Sequence, residues 1–313
     1  MLLSICIPSY NRGHRAYPMV KKMLEEVKDY DVDIVLSNNG SNKNIEGYEK
    51  LKKIKNEKFH YYEFDKNMRF WRNYNQVVQK AEGEWCLILS DEDSIDIHNL
   101  EYYLNLIRNN KKISVVKAAG DDYPFDDEGE YEAGLEAIQQ FFLAGNYISG
   151  TMYRRSIVND GMVEKLAEKY GQNNKAYYYY PHLFLELLAL IEGDFYRCDK
   201  YLIIKGESII DQETSSSQLF TEAAYQTFES RLLQFEGFTQ FIAELETTEA
   251  IKMKCFKMLI EKYVLMLYIC RTSTRDHAID FMEKQVYNTN SSLILENKDD
   301  FSAYIKELCE KIL

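Results

Sequence analysis

Proline and glycine are scarce in this 313-residue chain, at four and 14 residues, which leaves little room for flexible linkers and excludes collagen-like and low-complexity classes. No apolar run approaches the roughly 20 residues that a membrane-spanning helix needs. The six cysteines, Cys6, Cys86, Cys198, Cys255, Cys270 and Cys309, include no CxxC pair. Cys6 and Cys86 fall inside apolar runs and read as buried free thiols, a pattern that suits a reducing cytoplasm. Positive charge is also short: 38 Lys and Arg against 50 Asp and Glu give a net charge of −12. Broad binding to nucleic acid, which needs clustered cations to release counterions, is thereby excluded. A single phosphate ligand can still be held by a local positive site or a metal. No basic leader precedes the apolar start Met1 to Ile7, which reads as a first strand rather than a signal peptide. The expectation is a soluble cytoplasmic protein, at most peripheral at the inner face of a membrane.

What is present is a rhythm. Apolar runs at Leu2 to Ile7, Val32 to Ser37, Phe59 to Phe64, Trp85 to Leu89 and Ile113 to Ala119 read as strands. Between them, Tyr17 to Val27, Ile45 to Ile54, Trp71 to Ala81 and Leu100 to Ile107 have helical spacing. This alternation predicts an α/β fold with a mostly parallel sheet flanked by helices. Ligands of such sheets bind beyond the carboxyl ends of the strands. Past residue 205 the pattern changes to a polar loop, Ser208 to Leu219, and then to long helix-period segments at Ala223 to Ile242, Glu249 to Cys270, His277 to Tyr287 and Phe301 to Leu313. The division expected is 1–205 for the α/β domain and 206–313 for a helical C-terminal subdomain.

Three loops follow strand ends. Ser90-Asp91-Glu92-Asp93 closes the apolar run at Trp85. Adjacent carboxylates repel one another, and a hard divalent cation such as Mg²⁺ or Mn²⁺ would relieve them while taking its other oxygens from substrate phosphates. The bland alternative is an acidic cap on the next helix. Pro8-Ser9-Tyr10-Asn11-Arg12 ends strand one, with Pro8 read as the strand stop. Tyr10 is placed either to lie against a nucleobase or simply to pack; Arg12 is placed to approach phosphate or to stay solvated. Asn38-Asn39-Gly40-Ser41 is a turn whose Asn39 amide has the donor and acceptor to read a pyrimidine edge. Asn67 to Asn75 adds Arg69, Arg72, Asn73 and Asn75, a dense set of planar donors at a helix start, with Arg72 a candidate for the donor nucleotide.

The set SICIPSYNR, NNGS and WRNYNQVVQKAEGEWCLILSDED resembles the family 2 glycosyltransferases, and the LSDED ending resembles their bacterial abequosyltransferase-like, surface-polysaccharide branch. The resemblance covers about residues 1 to 205 and implies the GT-A (Rossmann-like) fold. It implies that Pro8, Ser9 and Tyr10 line the nucleoside pocket, and that Asp91 and Glu92 contact ribose and metal with Asp93 completing the triplet. Asn39 would stand where the family has a base-reading Asp, and Glu92 where it has a central Asp. The segment from Asn146 to Ser156 resembles the part that closes over the donor sugar, with Ser149 and Gly150 approaching it and Arg155 pairing nearby; an ordinary strand leading to a helix reads equally well.

Tyr180-Pro181-His182 opens an apolar helix that carries one acid, Glu186. His182 is a candidate third metal ligand beside Glu92 and Asp93, or a general base. His182 and Glu186 are spaced i, i+4 and should share a face, which makes the pair the expected acceptor-side base for an inverting transfer. The loop from Glu207 to Leu219 is a candidate lid or a plain connector. Lys252, Lys254, Lys257 and Lys262 in the helix around Ile251 suit either an anionic lipid face or, more simply, a solvated face of a packed helix; the helices are also a route to a homo-oligomer. The reading is thus a metal-dependent transferase using a nucleotide-diphosphate sugar, UDP-linked in the first instance, and a glycan or lipid-linked saccharide acceptor. A catalytically silent nucleotide- or glycan-binding protein is the alternative. A nucleotidyltransferase fits less well, because Pro8 to Asn11 is not a Gly-rich, basic phosphate loop.

Overall fold

The five apolar runs do become strands, and their alternation explains two layers of core. In β1 (Leu3–Ser9), β2 (Val32–Asn38) and β4 (Trp85–Ile88), Leu3, Ile5, Ile7, Ile34, Leu36, Trp85 and Leu87 face one core, while Cys6, Val35, Cys86 and Ile88 face the other. Side chains that point alternately to two buried faces give continuous apolar runs rather than an apolar–polar pattern. The first face is covered by α1 (Gly13–Glu26), α2 (Ile45–Leu51) and α4 (Ile97–Asn109). The second is covered by α3 (Phe70–Lys80), α5 (Leu135–Phe141), α6 (Asp160–Tyr170), α7 (Lys175–Tyr179) and α8 (Pro181–Glu192). The computed structural model describes residues 1–121, 124–125, 127–143, 147–206, 228–269 and 298–312.

The remaining strands are β3 (Phe59–Glu63), β5 (Ser94–Ile95), β6 (Ile113–Gly120), β7 (Gly129–Tyr131), β8 (Thr151–Arg154) and β9 (Asp194–Ile204). The nine-stranded sheet has the order β3-β2-β1-β4-β8-β6-β9-β5, with β7 on β9. Strands β3 to β4 along this path are parallel, as expected. Beyond them the sheet is mixed: β8 runs antiparallel between β4 and β6, β9 is parallel to β6, and β5 and β7 are antiparallel to β9.

Strand one does not stop at Pro8. It continues to Ser9, with Pro8 opposite Ser37 of β2. Leu89 donates its backbone N–H to the Cys6 carbonyl at 3.0 Å, so Cys6 and the like-facing Pro8 turn their main-chain groups toward β4. At Pro8 that strand has already ended, and the missing N–H costs no ladder bond.

The C-terminal helices α9 (Phe228–Ala243) and α10 (Glu249–Ile269) and the last helix, Lys298–Ile312, do not build a core of their own. Phe235, Phe238, Phe241, Phe256, Leu259 and Ile305 join the same cluster as Trp71, Tyr177 and Phe184. Phe184 and Phe241 stack with ring centroids 4.1 Å apart. In α10, Cys255, Phe256, Ile260 and Tyr263 are buried, Lys252 donates to the Ala243 carbonyl and Lys257 lies over the Tyr304 ring. Cys6, Cys86, Cys198 and Cys255 are free and buried. Among the described residues no helix is long and apolar enough to cross a membrane. The expected helix at His277 to Tyr287 and the candidate lid at Glu207 to Leu219 lie outside the described residues.

Candidate functional site

Strand register assembles the first part of the site. Leu3 pairs with Trp85 and Cys6 with Ile88, and carrying that register forward brings Ser9 level with Asp91. The Ser9 hydroxyl donates to Asp91 Oδ2 at 2.6 Å and lies 2.6 Å from the Tyr48 hydroxyl. Ser9 has one proton and gives it to Asp91, so Tyr48 is the donor in the second pair. The Tyr48 hydroxyl in turn accepts the Arg12 backbone N–H at 3.0 Å. Burial and then the Asp91 charge push the Tyr48 phenol up to about 12, so it stays protonated. Tyr48 reaches this edge because α1 and α2 cross closely: a Cβ on Gly47 would lie 1.9 Å from the Gly13 carbonyl oxygen.

The turn after β1 is made by Asn11, whose φ of 57° is a left-handed conformation that Asn tolerates better than most residues. Its side-chain oxygen accepts the N–H groups of Asn42 and Lys43, and its carbonyl accepts from Asn44 Nδ2 at 2.7 Å. The turn delivers Arg12 to the acids. One guanidinium nitrogen, Nη1, lies 3.0 Å from Asp91 Oδ1 and 3.1 Å from Glu92 Oε2. Burial works against the Arg12 charge, but Asp91 and Glu92 outweigh it and the net shift is upward. Arg12 therefore pairs with the carboxylates in this structure.

The triplet is not a helix cap. Strand β5 intervenes, and α4 is capped by Asp96, which accepts the His98 N–H at 3.0 Å. Asp93 is instead held from three directions: the Tyr147 and Ser149 hydroxyls donate to Oδ2, and the Gly206 N–H donates to Oδ1 at 3.0 Å. Ser149 Oγ also accepts the Ser90 N–H at 2.9 Å. Gly150, with φ of 84°, closes the start of β8 by donating to the Ile88 carbonyl and accepting from Ala118. Ser149 and Gly150 thus sit at the carboxyl edge beside the acids. Gly206 presses so closely that a Cβ there would be 1.7 Å from the Glu92 carbonyl oxygen. Burial raises the Glu92 carboxyl; Arg12 pulls it down, while Asp93 and Asp91 push it up further.

Arg155 is a correction. Because β8 is antiparallel to β4, each residue after Thr151 moves away from the carboxyl edge, and the Arg155 N–H bonds the Glu84 carbonyl at 2.9 Å, at the far end of β4. It is not beside the acids. Asn39 is buried and its amide is engaged: Nδ2 donates to Asn67 Oδ1, and Oδ1 accepts the Met68 N–H at 2.9 Å. It braces the start of the 67–75 segment. Asn73 Nδ2 donates to the Ser9 carbonyl, and Asn75 pairs with the Tyr177 hydroxyl. Arg72 lies 4.8 Å over the Trp71 ring and lines a groove of about 450 Å³ between α3 and α6. Pro8 is buried and Tyr10 half-buried at the strand edge.

His182 and Glu186 do share a face of α8, but that face looks inward. They are 4% and 0% exposed, because the helix Pro181–Glu192 is apolar on all sides and packed among β6, α3, α5 and α7. Among the described residues, neither His182 nitrogen and neither Glu186 oxygen has a hydrogen-bond partner. Burial, then Lys117, lowers the imidazole to about 3; burial pushes the Glu186 carboxyl well up, partly offset by Lys117 and the Leu143 backbone. The ring of His182 stands 6.0 Å from those of Tyr74 and Tyr180. It does not gather with Glu92 and Asp93: among the described residues, the group of three whose ligand atoms all lie within 4.8 Å of one another is Glu128, Cys198 and Asp199. Two participants were not singled out from the sequence. Tyr48 looks like an ordinary helix residue, and Lys117 is a lone cation in the apolar run ISVVKAAG, which was the available signal.

Comparison with known proteins identifies the family and the fold. The model of the family described as Glycosyl transferase family 2 matches residues 4–162, just over half of the chain. Residues 1–349 of TarS from S. aureus are 13% identical, with a TM-score of 0.60 over 99% of this chain and 91% of that one. The same protein in complex with UDP gives 0.61, and with UDP-GlcNAc 0.58, at 13% identity and the same coverage. At such identity the likeness shows the fold alone. No curated protein matches the sequence. The matched segment runs from β1 into α6 and contains all three carboxyl-edge loops, so this chain belongs to glycosyl transferase family 2 and is a glycosyltransferase of the GT-A fold.

Proposed function

We propose that the chain transfers a sugar from a nucleoside-diphosphate sugar to a saccharide acceptor, with the nucleoside held by Pro8, Ser9, Tyr10, Asn39 and Asp91. The observation that carries this reading is the hydrogen-bonded convergence of Ser9, Arg12, Asp91, Glu92 and Asp93 at the carboxyl edge of the parallel strands. That is where ligands of open α/β sheets bind. UDP is the first nucleotide to test, since TarS was solved with it.

The residues present fit a divalent cation. Glu92 is pushed up by burial and by both neighbouring acids, a crowding of negative charge that Arg12 relieves only in part. Glu92 and Asp93 would hold Mn²⁺ or Mg²⁺ through hard oxygens, with diphosphate oxygens completing the shell. Bound there, the metal would neutralise charge on the departing diphosphate. The chain supplies the rest. Asp91, fixed by Ser9, would bind the ribose, and Arg12 would turn from the acids to an incoming phosphate.

On the acceptor side we assign no base: His182 and Glu186 are both buried on the inward face of α8, and an acceptor hydroxyl does not reach them there. The acceptor we favour is a glycan or lipid-linked saccharide, following the resemblance to surface-polysaccharide enzymes. The test is a titration of UDP and other nucleoside diphosphates with Mn²⁺ and with chelator, in wild type, Glu92→Ala and Asp93→Ala. Metal-enhanced binding lost in both variants supports the site; undiminished binding in both sinks it. Metal-dependent hydrolysis of a donor sugar then separates an enzyme from a silent binder.

A further inference from the structure

Lys117 is the one charged residue in β6, a strand otherwise of Ile, Ser, Val, Ala and Gly, and it is 3% exposed. Among the described residues its ammonium donates to three acceptors of a single segment: the Tyr147 carbonyl at 2.9 Å, the Ser149 carbonyl at 2.7 Å and Thr151 Oγ1 at 3.1 Å. A neutral amine, with two protons, would leave one of these three unserved. Burial opposes the charge and outweighs Glu186 and then Asp93, which act to retain the proton, leaving the group at about 7. Taking a lysine into an apolar core costs several kcal/mol before its partners are counted. A strand needing only packing would carry a valine there.

The segment that Lys117 fastens is the one that fastens Asp93. Backbone carbonyls of Tyr147 and Ser149 face the ammonium, and the hydroxyls of the same two residues donate to Asp93 Oδ2. With an apolar side chain at 117, two carbonyls and a hydroxyl would be left buried without this donor. The segment would relax away from β6 and carry both hydroxyls off Asp93. We infer that Lys117 is a positioning residue, holding residues 147–151 so that Asp93 is presented to the donor's metal and diphosphate. This rests on the donor-site reading above.

The experiment titrates UDP in Mn²⁺ and in chelator against wild type, Lys117→Met, Tyr147→Phe and the double variant, with a thermal melt for each. Expected is a loss of about tenfold in the Mn²⁺-dependent part of the affinity for each single variant, the scale of a charge-assisted hydrogen bond. Metal-free affinity stays within about twofold, and the double variant is no worse than the weaker single, because the two residues act through one segment. Should Lys117→Met not fold, Lys117→Gln, which keeps an amide donor, carries the comparison and gives an intermediate loss. Full metal-dependent affinity in the Lys117 variant, or a loss equal with and without Mn²⁺, overturns the assignment while leaving the donor site standing. Absence of any Mn²⁺ effect in wild type is a different result and overturns the donor-site reading itself.

Discussion

Replacing His182 with phenylalanine should remove most of an acid-sensitivity that its burial creates. The imidazole stands 6.0 Å from the rings of Tyr74 and Tyr180, neither nitrogen has a hydrogen-bond partner among the described residues, and burial lowers it to about 3. In the unfolded chain it titrates near 6.5. Above about 6.5 both states are neutral and the contribution is fully present. As pH falls through the window between 6.5 and 3 only the unfolded state takes up the proton, and stability is lost. Each unit is worth about 1.4 kcal/mol, so the whole window amounts to roughly 5 kcal/mol, and about 3 kcal/mol of it is gone by pH 4. A phenylalanine of similar shape would not titrate. It would also spare two buried unpaired nitrogens, a further gain of about 1–3 kcal/mol at neutral pH.

The assay is urea unfolding of wild type and His182→Phe at pH 7 and at pH 4. Other carboxylates and histidines titrate in both proteins and cancel in the difference. The stability gap should widen by about 3 kcal/mol at the lower pH. A gap that is the same at both pH values would refute the account of a neutral, desolvated imidazole. It would mean that His182 is already protonated, or solvated, in the folded protein.

Three other perturbations follow from the geometry. Arg12→Gln removes the cation shared by buried Asp91 and half-buried Glu92, and should lower stability in chelator by about 2 kcal/mol; added Mn²⁺ should restore part of the loss, and a melting temperature equal to wild type in chelator would contradict the pairing. Gly206→Ala places a methyl 1.7 Å from the Glu92 carbonyl oxygen and should cut Mn²⁺-dependent UDP affinity about tenfold, read by calorimetry. Wild-type affinity there would show that the 205–206 segment does not shape the acidic edge. Arg155→Ala, at the opposite end of β8, should leave UDP affinity within about twofold, and a larger loss would show that the position acts on the donor site after all.

The legible parts of the fold were those in which one residue type repeats. The runs at Leu3, Val32 and Trp85 are buried over their whole length and mostly apolar because both faces of the sheet are covered. The acids at Asp91 to Asp93 could be placed because they follow such a run. Direction, by contrast, has no periodicity: an antiparallel β8 has the same alternation as a parallel one, and the sequence alone does not show that Arg155 lies at the opposite edge. Strands of two or three residues, such as Ser94–Ile95 and Gly129–Tyr131, are too short to show a period. Strand β9 is longer, but its register shifts opposite Ala118 to Gly120 break the alternation. The spacing of His182 and Glu186 gave their shared face correctly and could not say whether that face looks out or in. Tyr48 reaches Ser9 only through the Gly13–Gly47 crossing, a tertiary fact with no local trace.

The shared core has a consequence for how this chain can be divided. The family match ends at residue 162, yet Phe184 of α8 stacks on Phe241 of α9, and β9 supplies the neighbour that β6 needs on its open side. A fragment ending at the family boundary would expose an unpaired strand edge and a wall of aromatic rings. The matched part is therefore not expected to fold alone: the helices beyond it form its inner wall, and loosening them should be felt at the carboxyl edge as a loss of cooperativity rather than as the release of a separate appendage.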